Sequence, residues 1–74
     1  MKNHKRVFNV IIERDEDGYF IAEVPELKGC HTQAKSLDEL IVRIREAIAL
    51  SLEIEDNKYD EKSLEFIGIQ RVAV

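Results

Sequence analysis

Apolar residues fall at Leu37, Leu40, Ile41, Ile44, Ala47, Ile48 and Leu52, in steps of three and four. That spacing lays one wide apolar stripe along an α-helix over residues 36–56. Ser36 suits the N-cap, and Glu39 three residues later completes the pattern of a capping box. Arg43, Arg45, Glu46 and Glu53 fall mostly off the stripe, on the water side. A helix of about 20 residues is about 30 Å long. The rest of the chain must supply an apolar surface of similar length.

Before this helix the period drops to two. Residues 6–13 read as a strand, with Phe8, Val10 and Ile12 pointing one way and Val7, Asn9, Ile11 and Glu13 the other. Residues 14–18, Arg-Asp-Glu-Asp-Gly, form a turn in which Gly18 supplies a positive φ. Residues 19–25 are a second strand, with Phe20, Ala22 and Val24 inward and Tyr19, Ile21 and Glu23 outward. Pro25 lacks an N–H and ends the pairing. A second turn ends at Gly29. Residues 30–35 then make a short third strand, in which Thr32 and Ala34 alternate against His31 and Gln33.

Beyond the helix, residues 57–62 are polar and loop-like. Residues 64–74 carry Phe66, Ile67, Ile69 and Val72 and read as a last strand, with Gly68 a bulge or a close approach. The order β-β-β-α-β predicts an α+β domain. Its sheet is mixed and four-stranded, in the order 3-2-1-4, with a right-handed crossover helix on one face. The other face, with Val7, Ile11, Tyr19 and Ile21, lacks cover in a monomer. A patch of that kind marks an association surface.

Composition narrows the class. Seventy-four residues make one domain over residues 1–74, with residues 1–5 a flexible basic tail. A chain this short buries only ~60% of its unfolded surface, so self-association is expected. No apolar run approaches the ~20 residues of a membrane span, and the N-terminus lacks the apolar core of a signal peptide. Cys30 is the single cysteine and forms no internal disulfide, which fits a reduced, cytoplasmic chain. A net charge of −4 argues against nucleic acid as the main ligand and suits a basic protein partner.

The candidate chemistry is sparse. Asp15, Glu16 and Asp17 crowd one turn, but a calcium loop spreads its ligands over about twelve residues and ends in a bidentate Glu. Glu13 and Glu23 are the one carboxylate pair that the first hairpin could bring together for a metal-dependent nuclease. Cys30 and His31 are neighbours in an extended segment and point to opposite faces, which does not suit a nucleophile–base pair. One Cys and two His fall short of a zinc site. Gly18 and Gly29 are isolated, so no phosphate-cradling loop is present. No catalytic, cofactor or metal residue is expected, and the chain reads as a binding protein rather than an enzyme.

The run 8–27, Phe-Asn-Val-Ile-Ile-Glu-Arg-Asp-Glu-Asp-Gly-Tyr-Phe-Ile-Ala-Glu-Val-Pro-Glu-Leu, leads to Gly29-Cys30-His31-Thr32-Gln33. Then come Ser36-Leu37-Asp38-Glu39-Leu40 and Arg45-Glu46-Ala47-Ile48. This combination, over residues 7–52, closely resembles the HicB family, the antitoxin half of HicA–HicB toxin–antitoxin pairs. The resemblance implies a partial ribonuclease-H-like β-β-β-α-β fold. It also implies a function: binding a small basic HicA toxin, an mRNA-cleaving enzyme, and occluding its active site. Family members are typically oligomeric, so a homo-oligomer, a dimer or larger, is expected.

Two features depart from the family pattern. Ala34 stands where members often have Gly, so the backbone there must suit Ala. The sequence ends at Val74, which matches a short form without the C-terminal DNA-binding module, and no direct nucleic-acid binding is expected. Asp15, Glu16, Asp17, His31 and Gln33 are the expected partner-binding residues. Val7, Ile11, Tyr19 and Ile21 are the expected oligomer interface. The alternative is a stand-alone, self-associating domain of the same family with a structural or ligand-binding role and no toxin.

Overall fold

The computed structural model describes residues 6–56 and 64–74. The expected tail over residues 1–5 and the expected loop over residues 57–62 lie outside the described residues. The elements are β1 (Ile11–Arg14), β2 (Phe20–Glu23), β3 (His31–Ala34) and α1 (Leu37–Asp56). The three strands form an antiparallel meander in the order β1-β2-β3.

Local chemistry closes each link of the meander. In the β1–β2 turn, Asp15 Oδ1 accepts hydrogen bonds from the backbone N–H groups of Asp17 and Tyr19, both at 2.9 Å. Asp15 N–H donates to the Tyr19 carbonyl at 2.9 Å, and Gly18 takes a φ of 88°. An L side chain adopts that conformation only with strain, so glycine has a reason to be there. The β2–β3 link is a closed loop. Val24 N–H donates to the Cys30 carbonyl at 3.0 Å, and Leu27 exchanges backbone bonds with Val24 and Cys30. Leu27 and Cys30 are both buried, and Gly29 has a φ of 77°. The loop thus feeds two apolar side chains into the core while its own backbone groups pair among themselves.

The helix cap forms on one side. Ser36 Oγ accepts from the Glu39 N–H at 3.1 Å, a contact that contributes about 1 kcal/mol at an N-cap. Glu39 does not return the bond as a full capping box would. Its carboxylate accepts instead from Arg43 at 2.8 Å. Arg43 also donates to the Gln33 carbonyl at 3.1 Å, which ties the first turns of α1 to β3.

The helix packs on β3 and β2 rather than on β1. The core is therefore Ala22, Val24, Leu27, Cys30, Ala34, Leu40 and Ile44, with Phe8, Val10, Phe20, Ala47, Ile48 and Leu52 packed at its margin. Fully burying Leu40 or Ile44 contributes about 1.5–3 kcal/mol each. The buried stripe is narrower than the sequence suggests, because Leu37 and Ile41 are exposed. Ile12 pairs with Ala22 on the helix side of the sheet, yet it is 43% exposed, because α1 leaves β1 uncovered. Ala34 pairs with Phe20 inside β3 and keeps an ordinary strand position.

The expected four-stranded sheet is incorrect. Among the described residues the sheet has three strands and no member from 64–74. The order 3-2-1-4 and its parallel crossover are therefore absent, and the architecture is β-β-β-α with a purely antiparallel sheet. Of the β-β-β-α-β pattern implied by the family resemblance, the final strand is missing. The reason is physical. Phe66, Ile67, Ile69 and Val72 favour extended backbone, but a strand also needs a ladder partner, and propensity does not provide one. Ile67 and Ile69 stand 85% and 70% exposed.

Candidate binding face of the sheet

Strand register decides which side chains share a surface. Ile11 pairs with Glu23, which pairs with His31. Glu13 pairs with Ile21, which pairs with Gln33. Both rows lie on the face turned away from α1, since the alternate positions Ala22 and Ala34 are in the core. The Lys35 ammonium lies 5.2 Å from the centre of the Tyr19 ring, which continues the same face one row further.

This face has an apolar centre and a polar margin. Ile11, Tyr19 and Ile21 are half-buried, while Glu13, Glu23, His31 and Gln33 are exposed. Val7 lies before β1 and is 86% exposed. The exposed side chains Asp15, Glu16 and Asp17 sit in the adjoining turn. Two groups of residues that the sequence separates, His31 and Gln33 on one hand and Ile11 and Ile21 on the other, thus form one surface. Asp15 differs from its neighbours because one of its carboxylate oxygens already holds the turn through two backbone hydrogen bonds.

Other candidate pairs are not assembled. Glu13 and Glu23 are diagonal rather than opposite, each facing an isoleucine. Cys30 is buried and His31 exposed. Among the described residues no group of three or more His, Cys, Asp or Glu is placed to hold a metal ion.

Two features went unseen in the sequence. One is the Arg43 tether. The other is Glu26, whose Oε2 accepts from the backbone N–H and side-chain amide of Asn9 at 3.4 and 3.3 Å. Its Oε1 is buried without a hydrogen bond among the described residues. These are weak bonds by length, but they fix the approach to β1. The pairing joins positions 17 apart in the chain, and no local pattern announces a contact at that range.

The fold is a small α+β domain with one sheet face covered by a helix and the other, rimmed with carboxylates, open to solvent. No helix among the described residues is long and apolar enough to cross a membrane. Residues 8–69 match the model of HicB-like antitoxins of bacterial toxin–antitoxin systems, and the chain belongs to that family. It is 58% identical over 67 residues to a UPF0150 protein of Archaeoglobus fulgidus, covering 90% of this chain and 93% of the relative. A UPF0150 protein of Synechocystis is 52% identical over 71 residues, with 96% and 99% of the two chains covered. A UPF0150 protein of Thermotoga maritima is 36% identical over 76 residues, covering 100% of this chain and 97% of its own.

Proposed function

We propose that this domain acts as an antitoxin that lays its open sheet face over a small basic HicA-type mRNA-cleaving toxin and occludes the toxin's active site. Family membership supports the antitoxin class. The observation that carries the finer reading is the single surface built from Ile11, Tyr19 and Ile21 with Glu13, Glu23, His31 and Gln33 around them. An apolar centre with a charged margin is how a specific protein interface is arranged: the centre excludes water and the margin orients the partner.

The turn acids Asp15, Glu16 and Asp17 project beside this face and would meet an RNA-binding, hence basic, surface. Complementary charge of that kind raises the association rate more than it raises affinity, and salt removes the effect. Since Asp15 also organises the turn, Glu16 and Asp17 are the acids to test. His31 and Gln33 offer hydrogen-bonding groups at the opposite margin. Occlusion requires no catalytic group on the antitoxin side.

The test begins with the tagged chain as bait in lysate of its source at low salt. A stoichiometric basic protein of well under about 100 residues, released by high salt, is then purified and assayed for RNA cleavage. The reading holds if this chain stops that cleavage. It fails if the captured protein's cleavage is unchanged by saturating amounts of the chain, or if no basic protein is captured. In the same assay, Glu16→Gln with Asp17→Asn slows association by roughly tenfold at low salt and little at high salt. An unchanged on-rate removes these acids from the interface.

A further inference from the structure

We propose that residues 64–69 of one chain seat in a groove beside the helix of a second copy, in a reciprocal exchange that makes the basic unit a dimer. The groove has a volume of about 400 Å³ and is lined by Arg6, Phe8, Arg45, Ile48, Ala49 and Leu52. It lies where the chain entering the sheet passes the second half of α1, and it shares no residue with the open sheet face. The proposal therefore stands apart from the toxin reading.

Three observations converge on this occupant. First, the groove is apolar along its length and positively charged at its rim. Arg6 stacks over the Phe8 ring at 5.4 Å, while Arg45 has no hydrogen bond or ion pair among the described residues. Second, the chain itself carries a segment of matching chemistry that it leaves in water. Leu64, Ile67 and Ile69 are exposed, Phe66 between them is half-buried, and Glu65 sits among them. None of residues 64–74 lines the groove of its own chain. Third, the family match extends to residue 69, so this segment is part of the domain the family shares and not an appendage to it.

The dimensions agree. Arg45 to Leu52 spans about 10 Å of helix axis, and an extended stretch covers that length with about three or four residues. Glu65 can then meet Arg45 while Ile67 and Ile69 lie over Ile48 and Leu52. Each chain supplies one segment and one groove. A two-fold arrangement uses both twice and leaves neither exposed, which favours a second copy over a different partner.

Charge exchange tests the contact directly. Glu65→Arg and Arg45→Glu are made separately in the full chain, and far-UV circular dichroism checks that each still folds. Mass is read by light scattering during gel filtration at about 100 µM and below. The wild-type chain is expected as a dimer or an assembly of dimers. Each variant alone sets like charges against each other in both contacts, so its dissociation constant should rise at least about tenfold. An equimolar mixture restores opposite charges in both contacts and should return the wild-type mass. A wild-type chain that is monomeric at about 100 µM overturns the proposal. So do variants that associate like wild type, or a mixture no heavier than its parts.

Discussion

The stretch from Ala22 to Ile44 and the segment 64–74 are both rich in apolar residues, and the structure treats them in opposite ways. The first supplies every fully buried side chain of the core. The second leaves Leu64, Ile67, Ile69 and Val72 in solvent. Hydrophobicity does not separate them, but closure does. In the first region each apolar run is bent onto the next by a short link with its own hydrogen bonds: the closed loop from Val24 to Cys30 and the Ser36 cap. Burial there follows at low loop-closure entropy. Residues 64–74 join no ladder of the sheet among the described residues, and their strand preference goes unmet there.

Truncating one side chain in each region should separate the two. Leu40→Ala removes a fully buried side chain and should cost about 2–5 kcal/mol. A domain of this size has roughly 4–11 kcal/mol in all, so the variant should lose much or most of its stability in urea. Ile69→Ala, read at sub-micromolar concentration where self-association is weak, should stay within about 0.5 kcal/mol. Equal losses for the two would mean that 64–74 is packed in the monomer, and the contrast would collapse.

The turns should give the next largest effects. Gly29→Ala forces a φ of 77° on an L residue with open space around its Cβ. The cost is therefore purely conformational, about 1–2 kcal/mol. Asp15→Ala removes the acceptor of two exposed backbone bonds and should cost about 1 kcal/mol, while Asp15→Asn, which keeps an acceptor oxygen, should recover most of it. Glu16→Gln and Asp17→Asn should leave urea stability unchanged. If Asp15→Ala were as silent as these, the turn would be held by Gly18 and its neighbours alone.

What could be read from the sequence follows the same division. The turn at Gly18, the N-cap at Ser36 and the helix are local, with period and cap chemistry in neighbouring residues, and the structure has them. The first three strands are also present, but the first is only Ile11–Arg14 rather than residues 6–13, because the alternation shows which residues favour extended backbone and not where the ladder begins. The inward set Phe20, Ala22 and Val24 follows from alternation alone. The edges of the pattern mislead. Leu37 and Ile41 lie on the apolar stripe but outside the area the sheet can cover, and Ile12 faces inward beneath no helix. The fourth strand failed because pairing is a tertiary fact. The family resemblance was legible in the motifs from Asp15 to Gly18 and from Val24 to Gln33. The physical reason for those motifs, a side-chain-organised turn and a loop that buries Leu27 and Cys30, needed coordinates. At the open face, alternation grouped Ile11 with Glu13 and Tyr19 with Ile21. Only the register of β3 against β2 brought His31 and Gln33 to the same surface.

The smallest expected effects concern how α1 is held to β3, and they separate two kinds of contact made by one side chain. Arg43 pairs with Glu39 at 2.8 Å and donates to the Gln33 carbonyl at 3.1 Å. The ion pair joins two half-exposed side chains, so a double-mutant cycle with Glu39→Gln and Arg43→Ala should give a coupling of about 0.3–0.5 kcal/mol that fades in 1 M salt, where the Debye length is about 3 Å. The bond to the Gln33 carbonyl does not depend on Glu39, and losing it should cost a further roughly 0.5–1 kcal/mol at either salt concentration. Arg43→Ala should therefore be worse than Glu39→Gln, and the excess should survive added salt. If salt removed the whole effect of Arg43→Ala, the tether to β3 would contribute nothing, and the helix would be held by its apolar contacts, Leu40 and Ile44 with Ala47, Ile48 and Leu52. The closure of the core would then depend on the loop from Val24 to Cys30 and the Ser36 cap, without help from the helix surface.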